Sequence, residues 1–442
     1  MLNQAKGKKP NIVLILADDL GYRDLGCYGS TAIQTPNLDQ LASEGIRFTQ
    51  SYSGCPVCAP SRSVLMTGKH AGHTSVRGNS GGIPLQDNDV TLATLLNSAG
   101  YACGGFGKWG LGDVGTSGVP ERHGFDTFFG YYHQVHAHIY YPSYLWENSR
   151  KIELLGNNDR DEGKIYSHYR IFEETCNFIR ENKNRPFFCY APWTLPHGRY
   201  TIPRDDPVWQ VYQDKPWSSS AKVVAAMISL FDHHVGQLLQ LLQSLGLHDN
   251  TIIIVSSDHG AGFRFEGELD SCQPLRGHKR TMYEGGIRVP TIVRWNNQIP
   301  QGQVSGHAWY FPDIMPTLLD LADLPIPKGI DGISITPTLR NRGEQKQHDH
   351  LYWALPLYDF GKCEFKPNGL MEAVRKDNWK AIRPLANAPI ELYDLSHDIS
   401  EENNLADQQP NIVRRMNSLL CQARTAGYPQ IEPEIPEGKR HR

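Results

Sequence analysis

The sequence has no run of about 18 apolar residues, the length that a membrane-spanning helix requires, so no membrane span is predicted. It also has little excess of either charge, since 44 Lys and Arg face 47 Asp and Glu. A chain without a polybasic region is a poor partner for nucleic acid or an anionic membrane. The 39% hydrophobic and 21% charged residues, with 41 Gly and 29 Pro, suit a loop-rich globular enzyme.

No apolar segment of signal-peptide length precedes the first strongly apolar run, which begins at Asn11. We therefore expect a periplasmic or secreted protein if a signal peptide has been removed, and otherwise a cytoplasmic one. In neither case is an integral membrane protein expected.

The nine cysteines are odd in number, and the chain is not short. A disulfide framework is therefore a poor first hypothesis, and any pairing cannot be read from the sequence. Cys55 and Cys58 form C-x-x-C, but no second pair lies nearby, so the sequence does not favour a four-thiolate zinc site.

The length of 442 residues exceeds the roughly 250–300 residues at which a single hydrophobic core stops growing. We expect a large domain over residues 1–345 and a smaller one over residues 346–442. In the large domain, apolar runs predict buried strands that alternate with helical patterns. This alternation predicts an α/β fold with a largely parallel sheet, which places ligands beyond the carboxyl ends of its strands. The predicted strands are 12–17, 101–106, 187–191 and 251–256, and the predicted helices are one opening at 35–39 and those at 59–66, 91–98 and 220–245.

The pattern differs beyond residue 345. Segments 373–375 and 380–383 flank the turn-prone pair Asp377-Asn378 and predict a hairpin. Residues 390–395 predict a further strand, and residues 411–424 predict an amphipathic helix. The smaller domain is therefore expected to be α+β with an antiparallel sheet.

Acidic residues follow two of the predicted buried strands. Asp18 and Asp19 follow the first, and Asp258 with His259 follows the other. Adjacent carboxylates are unfavourable unless a cation neutralises them, and hard cations prefer oxygen ligands. A lone Asp-Asp pair is more often a solvated turn, but two clusters at strand ends predict a metal site.

The string Cys58-Ala59-Pro60-Ser61-Arg62 leads into a predicted helix. Free N–H groups and the dipole at a helix N-terminus favour anions, and Arg62 adds a fixed donor for an oxyanion. A single cysteine at such a place is more often structural, but the whole string is far more specific.

This string matches the C-x-P-S-R signature of the type I sulfatases, and the chain resembles that family up to about residue 340. Further matches lie in family order at 10–19, 33–41, Leu65-Met66-Thr67-Gly68, Gly107-Lys108-Trp109, Pro196-His197, 257–260, and Lys279 with 284–290.

The resemblance implies the alkaline-phosphatase-like fold, a bound Ca²⁺ or alternatively Mg²⁺, and a formylglycine made from Cys58 by a maturation enzyme. The hydrate of that formylglycine is then the nucleophile. The other implied roles are metal binding by Asp18, Asp19, Asp258 and His259, sulfate binding by Arg62, Lys108 and Lys279, and assistance to the leaving group by His197.

The chemistry of sulfate ester cleavage agrees with these roles. The ester gathers negative charge on its oxygens during displacement, so a site rich in cations is required. A geminal diol can attack sulfur with one hydroxyl and later expel sulfate by re-forming the aldehyde, whereas a serine alkoxide would leave a stable sulfated enzyme. An alkyl leaving oxygen needs a proton, for which His197 and Lys279 are the candidates.

The sequence departs from the family pattern at two positions. The family often reads Gly-Lys-Trp-His-Leu-Gly, but Gly110 replaces the histidine here and cannot take a proton. His259 stands where many members have Asn, so we expect it either to bind calcium weakly or to hydrogen-bond to sulfate.

A stretch rich in histidine and tyrosine, residues 124–144, offers a replacement for the missing histidine. We predict that His136 or His138 takes that role or binds sugar hydroxyls, with a packed aromatic loop as the alternative. Trp193 is a candidate for stacking on a sugar, with a core position as the alternative. The chain also resembles bacterial carbohydrate sulfatases that share Gly-Lys-Trp-Gly-Leu-Gly and His-Ala-His-x-Tyr-Tyr-Pro, which favours a sulfated galactose or N-acetylgalactosamine substrate and exo action.

Two other functions stay open at this point. Some phosphodiesterases and phosphonate monoester hydrolases on the same scaffold also use a C-x-P-x-R formylglycine. A non-catalytic sulfoglycan-binding homologue is the second alternative, which Gly110 favours. The sequence leaves the oligomeric state and the sulfate position open.

Overall fold

A computed structural model describes residues 9–425, in which ten strands form one mixed sheet and four form a second sheet. The strands are β1 (Asn11–Ala17), β2 (Ile46–Phe48), β3 (Ser51–Tyr52), β4 (Ala102–Lys108), β5 (Thr127–Tyr131), β6 (Tyr144–Glu147), β7 (Arg150–Glu153), β8 (Phe187–Pro192), β9 (Thr251–Ser257), β10 (Thr291–Arg294), β11 (Gln303–Ser305), β12 (Trp309–Tyr310), β13 (Leu351–Asp359), β14 (Glu364–Lys376), β15 (Trp379–Arg383) and β16 (Glu391–Asp394).

The helices pack on the sheets. They are α1 (Pro36–Ser43), α2 (Cys58–Thr67), α3 (Leu92–Ser98), α4 (Ser167–Glu181), α5 (Pro207–Tyr212), α6 (Ser219–Ser244), α7 (Glu284–Ile287), α8 (Ile314–Leu321), α9 (Thr336–Leu339) and α10 (Pro410–Gln422). Within residues 9–425, none of them has both the length and the apolar character needed to cross a membrane.

The large sheet has the order β11-β2-β10-β9-β1-β8-β4-β5-β6-β7. Its centre is parallel, because β1 lies between β8 and β9 and runs parallel to both, and β4 runs parallel to β8 and β5. Strand β10 is antiparallel to β9. The predicted α/β fold with a largely parallel sheet is therefore confirmed.

The position of β1 in the sheet explains why its sequence is a continuous apolar run and not an alternation of apolar and polar residues. Ile12, Leu14 and Leu16 pack into the core on one face of the sheet, while Val13 and Ile15 pack into the core on the other. Helix α2 contributes to the first core and the long helix α6 to the second. A strand covered on both faces has no solvent side for polar residues.

The second sheet is antiparallel, in the order β13-β14-β15-β16. The predicted hairpin is confirmed, because β14 and β15 pair antiparallel around Asp377-Asn378. Helix α10 packs on β14, and Trp353 of β13 donates its indole N–H to the carbonyl of Ser53 at 2.8 Å. The small sheet therefore supports the segment that leads into α2. The domain boundary at residue 345 stays a prediction.

Lys380 is the centre of a buried charge cluster that ties β15 to α7. Its Nζ lies 2.9 Å from Glu284 and 2.8 Å from Glu401, and all three side chains are fully buried. Removing one partner of a buried ion pair costs about 3–5 kcal/mol, because charges stay buried without compensation. We expect Lys380→Met to lower the free energy of unfolding by about 3 kcal/mol or more in urea titrations.

Lys376 provides the matched control for this variant. It lies on the same hairpin and pairs with Asp349, whose side chain is 70% exposed. Exposed ion pairs contribute about 0–1 kcal/mol, so Lys376→Met should leave the unfolding midpoint almost unchanged. Equal losses in the two variants would contradict the role of Lys380.

Candidate active site

Cys58 is the first residue of α2, and the extended residue Val57 precedes it. Its Sγ lies 3.2 Å from Nε2 of His259 and 3.6 Å from Oδ1 of Asp18. Ser61, one turn further along, donates its hydroxyl to the carbonyl of Asp258 at 2.5 Å and thereby fixes the helix start against the end of β9. The thiol is thus held at a helix N-terminus, where negative charge is stabilised.

Four neighbouring strands bring together residues that are far apart in sequence. Asp18, Asp258 and His197 follow the carboxyl ends of β1, β9 and β8, and Lys108 is the last residue of β4. These strands are adjacent and parallel in the order β9-β1-β8-β4. The sheet therefore places these residues at one edge, as expected for a parallel α/β sheet.

Two lysines bind the acidic pair after β1. Lys108 Nζ lies 2.6 Å from Oδ2 of Asp18, and Lys279 Nζ lies 2.6 Å from Oδ1 of Asp19. Burial alone would lower the pKa of each lysine, but the neighbouring carboxylates outweigh it and raise the pKa of both above the usual value. Both lysines are therefore charged at neutral pH.

Arg62 is fully buried and holds the third carboxylate. Its Nε and Nη2 donate to one oxygen of Asp258 at 3.1 and 3.0 Å, and Nη1 donates to the carbonyl of Lys108 at 2.5 Å. Nη2 also lies 3.3 Å from Asp18. A planar guanidinium with fixed donors suits recognition of a tetrahedral oxyanion.

The site fits a divalent cation. The ligand atoms of Asp18, Asp258 and His259 lie close together, as do those of Asp18, Asp19 and His197. The three buried carboxylates are balanced by the three cationic side chains described above, so a divalent ion would give the cluster the positive charge that a sulfate needs. Burial, with the neighbouring carboxylates Asp18 and Asp258, raises the pKa of Asp19 although Lys279 opposes the shift, so a cation at this place would favour the charged form. Carboxylate oxygens are the donors that Ca²⁺ prefers.

Two histidines form the other side of the site. Nε2 of His197 lies 3.7 Å from Oδ2 of Asp19, and the rings of His138 and His197 lie 4.4 Å apart. Tyr140 donates its hydroxyl to the carbonyl of His197 at 2.7 Å and fixes the turn. Burial lowers the pKa of His138 to about 3 and that of His197 well below its usual value. Both rings are therefore neutral at pH 7 in the substrate-free protein.

The family model described as Sulfatase matches residues 10–324. The chain belongs to the sulfatase family. A second model, described as N-sulphoglucosamine sulphohydrolase, C-terminal, matches residues 277–426 and so includes the small sheet. Together the two models cover the described part of the chain almost completely.

Named relatives agree with this membership. Human N-acetylgalactosamine-6-sulfatase is 34% identical over 75% of this chain, which spans 66% of that relative's length. Human arylsulfatase A is 31% identical over 94% of this chain and 88% of its own length. The crystal structure of Ps i-CgsB in complex with k-i-k-neocarrahexaose is 26% identical, with a TM-score of 0.82, and 98% of this chain and 96% of that chain are covered. The alkaline-phosphatase-like sulfatase fold implied by the sequence is thus confirmed.

The structure separates the two histidines that the sequence offered as replacements in this sulfatase. His138 contacts His197, whereas the ring of His136 packs against Tyr131 at 5.0 Å and Tyr144 at 4.5 Å. Both lie in one short 3₁₀ turn, His136–His138, so they point in different directions. Only His138 is placed to act at the site.

Trp193 requires a correction. Its exposed fraction is 0%, and its indole packs against Phe172, Phe231 and His168 in the core beneath α4 and α6. A ring without exposed surface cannot stack on a sugar, so the alternative of a core tryptophan is the one that the structure shows.

Sequence reasoning missed Gln134. Gly110 has a φ of +78°, and a Cβ at that position would lie 3.0 Å from Cγ of Gln134. Gln134 is 5% exposed, and its Nε2 has no hydrogen-bond partner among the described residues. Gln134 thus fills the space in front of Gly110. The sequence carried one indication of this contact. Gly110 has no side chain where the family often has histidine, so a neighbouring side chain must fill that space.

Proposed function

We propose that this protein is a sulfatase that hydrolyses a sulfate ester on a carbohydrate, with Cys58 matured to formylglycine and with Ca²⁺ bound at the strand ends. The observation that carries the proposal is the position of Sγ of Cys58, at a helix N-terminus and within 3.6 Å of both Asp18 and His259. A structural cysteine does not require three buried cations beside it.

The cationic side chains bind the sulfate and stabilise the charge that develops on its oxygens. Arg62, Lys108 and Lys279 are all buried, so their interactions with an anion are only weakly screened by water. Formylglycine hydrate would supply a geminal diol whose one hydroxyl attacks sulfur and whose other hydroxyl later expels sulfate. A Ca²⁺ held by Asp18, Asp19, Asp258 and His259 would add positive charge beside the sulfate oxygens.

His259 and His197 both lie beside Asp19, at 3.5 and 3.7 Å, but they contact different parts of the site. His259 Nε2 lies 3.2 Å from Sγ of Cys58, so the residue that would help to hold the ion would also contact the formylglycine. His197 lies 3.7 Å and Lys279 2.6 Å from Asp19. The charged Lys279 would supply the proton of an alkyl leaving oxygen, and the neutral ring of His197 would orient that oxygen by a hydrogen bond.

A sulfated galactose or N-acetylgalactosamine unit is the proposed substrate, and exo action is the proposed mode. The support is that N-acetylgalactosamine-6-sulfatase is 34% identical to this chain and that Ps i-CgsB was crystallised with a neocarrahexaose. Enclosure of the cluster supports attack on a terminal unit, because Asp18, Asp258 and His259 are fully buried.

A panel of position-defined sulfated mono- and disaccharides tests the proposal. The protein is expressed with a formylglycine-generating enzyme, and sulfate release is compared with turnover of an aryl sulfate, a phosphonate monoester and a phosphate diester. We expect a sulfated saccharide to have the highest kcat/KM. A clear preference for a phosphorus ester would support the phosphonate hydrolase alternative, and no turnover at all would support the binding protein.

Replacing His138 tests its role in the reaction. We expect His138→Ala to lower kcat on the best sulfated saccharide by about 10²-fold, the scale of a lost acid–base or orienting group. His136→Ala is the matched control, because it removes the same side chain from the same turn without touching His197. Equal effects of the two variants would show that the loop, and not the His138 ring, is required.

A further inference from the structure

Phe263 is a large apolar side chain exposed beside the active site. Its exposed fraction is 63%, and its ring is stacked with that of His278 at 6.1 Å and 14°. The ring of Phe265 lies 5.9 Å away, and Tyr200 follows at 6.1 Å from Phe265. These four rings, called here the aromatic shelf, are not used by the proposed reaction.

The shelf is joined to the reacting groups by the backbone. Gly262 donates its N–H to the carbonyl of Asp19 at 3.3 Å, and Lys279 donates its N–H to the carbonyl of Ala261 at 3.0 Å. A Cβ at Gly262 would lie 2.6 Å from Oδ2 of Asp19, so no side chain fits between the chain and this carboxylate. Phe263 and His278 are the next residues outward from these two contacts. A ligand on the shelf would therefore lie beside the bound sulfated unit.

The space over the shelf has the size and lining of a binding site. It is a depression of about 460 Å³ formed by Phe263, Phe265 and His278 with a polar rim. Arg264 pairs with Glu266 at 3.2 Å, whereas Glu268 accepts a hydrogen bond from Ser218 at 2.8 Å and keeps its negative charge. An apolar patch with a polar rim is typical of a ligand groove, and the uncompensated negative charge of Glu268 does not select a second sulfate.

We propose that the aromatic shelf binds an uncharged sugar ring next to the sulfated one, so that the enzyme acts on sulfated di- and oligosaccharides in preference to sulfated monosaccharides. This inference rests on the proposed carbohydrate sulfatase function. A pyranose has a face of C–H groups that covers an aromatic ring and a periphery of hydroxyls that meets the polar rim. Burial of the exposed Phe263 ring under that face favours the longer substrate.

The test compares the best sulfated disaccharide of the panel with the sulfated monosaccharide at its reacting end. We expect Phe263→Ala to lower the ratio of kcat/KM for disaccharide over monosaccharide by about tenfold, mainly through KM for the disaccharide. Phe263→Trp keeps the platform and should keep the ratio. Phe360→Ala is the matched control, because Phe360 is 62% exposed and lies on the turn between β13 and β14.

The outcomes distinguish this inference from the proposed function. If the enzyme without substitutions releases sulfate from no saccharide, the proposed function fails, and the ratio of kcat/KM for disaccharide over monosaccharide cannot be measured. If it releases sulfate but Phe263→Ala and Phe360→Ala both keep the ratio, the shelf proposal is overturned. Phe263→Ala could instead lower the molar mass measured by sedimentation and leave the kcat/KM ratio unchanged. That result would assign the patch to contact between copies of the chain and would also overturn the shelf proposal.

Discussion

Replacing Cys58 with alanine is expected to lower kcat for sulfate release by about 10⁴-fold or more, because loss of a nucleophile removes the covalent route altogether. Arg62, Lys108 and Lys279 stay in place in this variant, so binding of the sulfated saccharide should persist. The measurement is single-turnover sulfate release together with calorimetric binding of the same substrate. Loss of binding along with turnover would mean that the substitution has disrupted the cluster rather than removed the nucleophile.

Cys58→Ser separates the diol from an ordinary alcohol. A serine at this place can attack sulfur but cannot expel sulfate by re-forming an aldehyde, so sulfated enzyme should accumulate and be visible in the intact mass. The chain that keeps Cys58, expressed with the maturation enzyme, should instead have an intact mass about 18 Da below that of the cysteine form, because residue 58 becomes formylglycine. A retained thiol in a fully active enzyme would contradict the formylglycine assignment.

Cys55 provides the control for both variants. It is also a buried thiol, three residues earlier, but its Sγ faces the carbonyl of Ala354 in the small sheet at 3.5 Å. Cys55→Ala should therefore change stability slightly and leave the mass change at Cys58 in place. The described cysteines are all free.

The sequence predicted the centre of the fold because its signals are local. The apolar runs of β1 and β9 are continuous, since these strands are covered on both faces, and an acidic residue follows each strand. The hairpin around Asp377-Asn378 was predicted from turn chemistry alone. The convergence of Asp18 and Asp258 followed from one topological rule about parallel strands, whereas Lys108 was assigned to the site by the family resemblance.

The parts that could not be predicted depend on tertiary contacts. His136 and His138 are two residues apart and chemically identical, and only the direction of a 3₁₀ turn places one of them against His197. Trp193 lies four residues from His197, yet packing beneath α4 and α6 removes it from the solvent. Gln134 is recognised as part of the site only when the empty space at Gly110 is seen in three dimensions.

The metal assignment makes the second large prediction. Asp19→Asn should lower kcat/KM on the best sulfated saccharide by about 10²–10³-fold, the scale of a lost preorganised electrostatic group. The amide is nearly isosteric, but it removes a negative charge that faces both the proposed ion and Lys279, 2.6 Å away. Because loss of the Lys279 partner alone would also reduce activity, the deciding readout is the Tm as a function of added Ca²⁺.

A ligand that binds only the folded state stabilises it by about 2.7 kcal/mol at a hundredfold excess over Kd, so metal-stripped enzyme should show a rising Tm as Ca²⁺ is added. Asp19→Asn should shift this titration to higher Ca²⁺. Asp24→Asn is the matched control, because Asp24 is also buried and has a pKa raised by burial to about 6, but it accepts a hydrogen bond from the backbone of Gly21. Identical titrations for all three proteins would exclude Asp19 as a ligand. If only Asp19→Asn shifts the Ca²⁺ titration of the Tm, the acidic pair after β1 binds the ion. The buried lysines and the cation would then neutralise the same carboxylates at the strand ends.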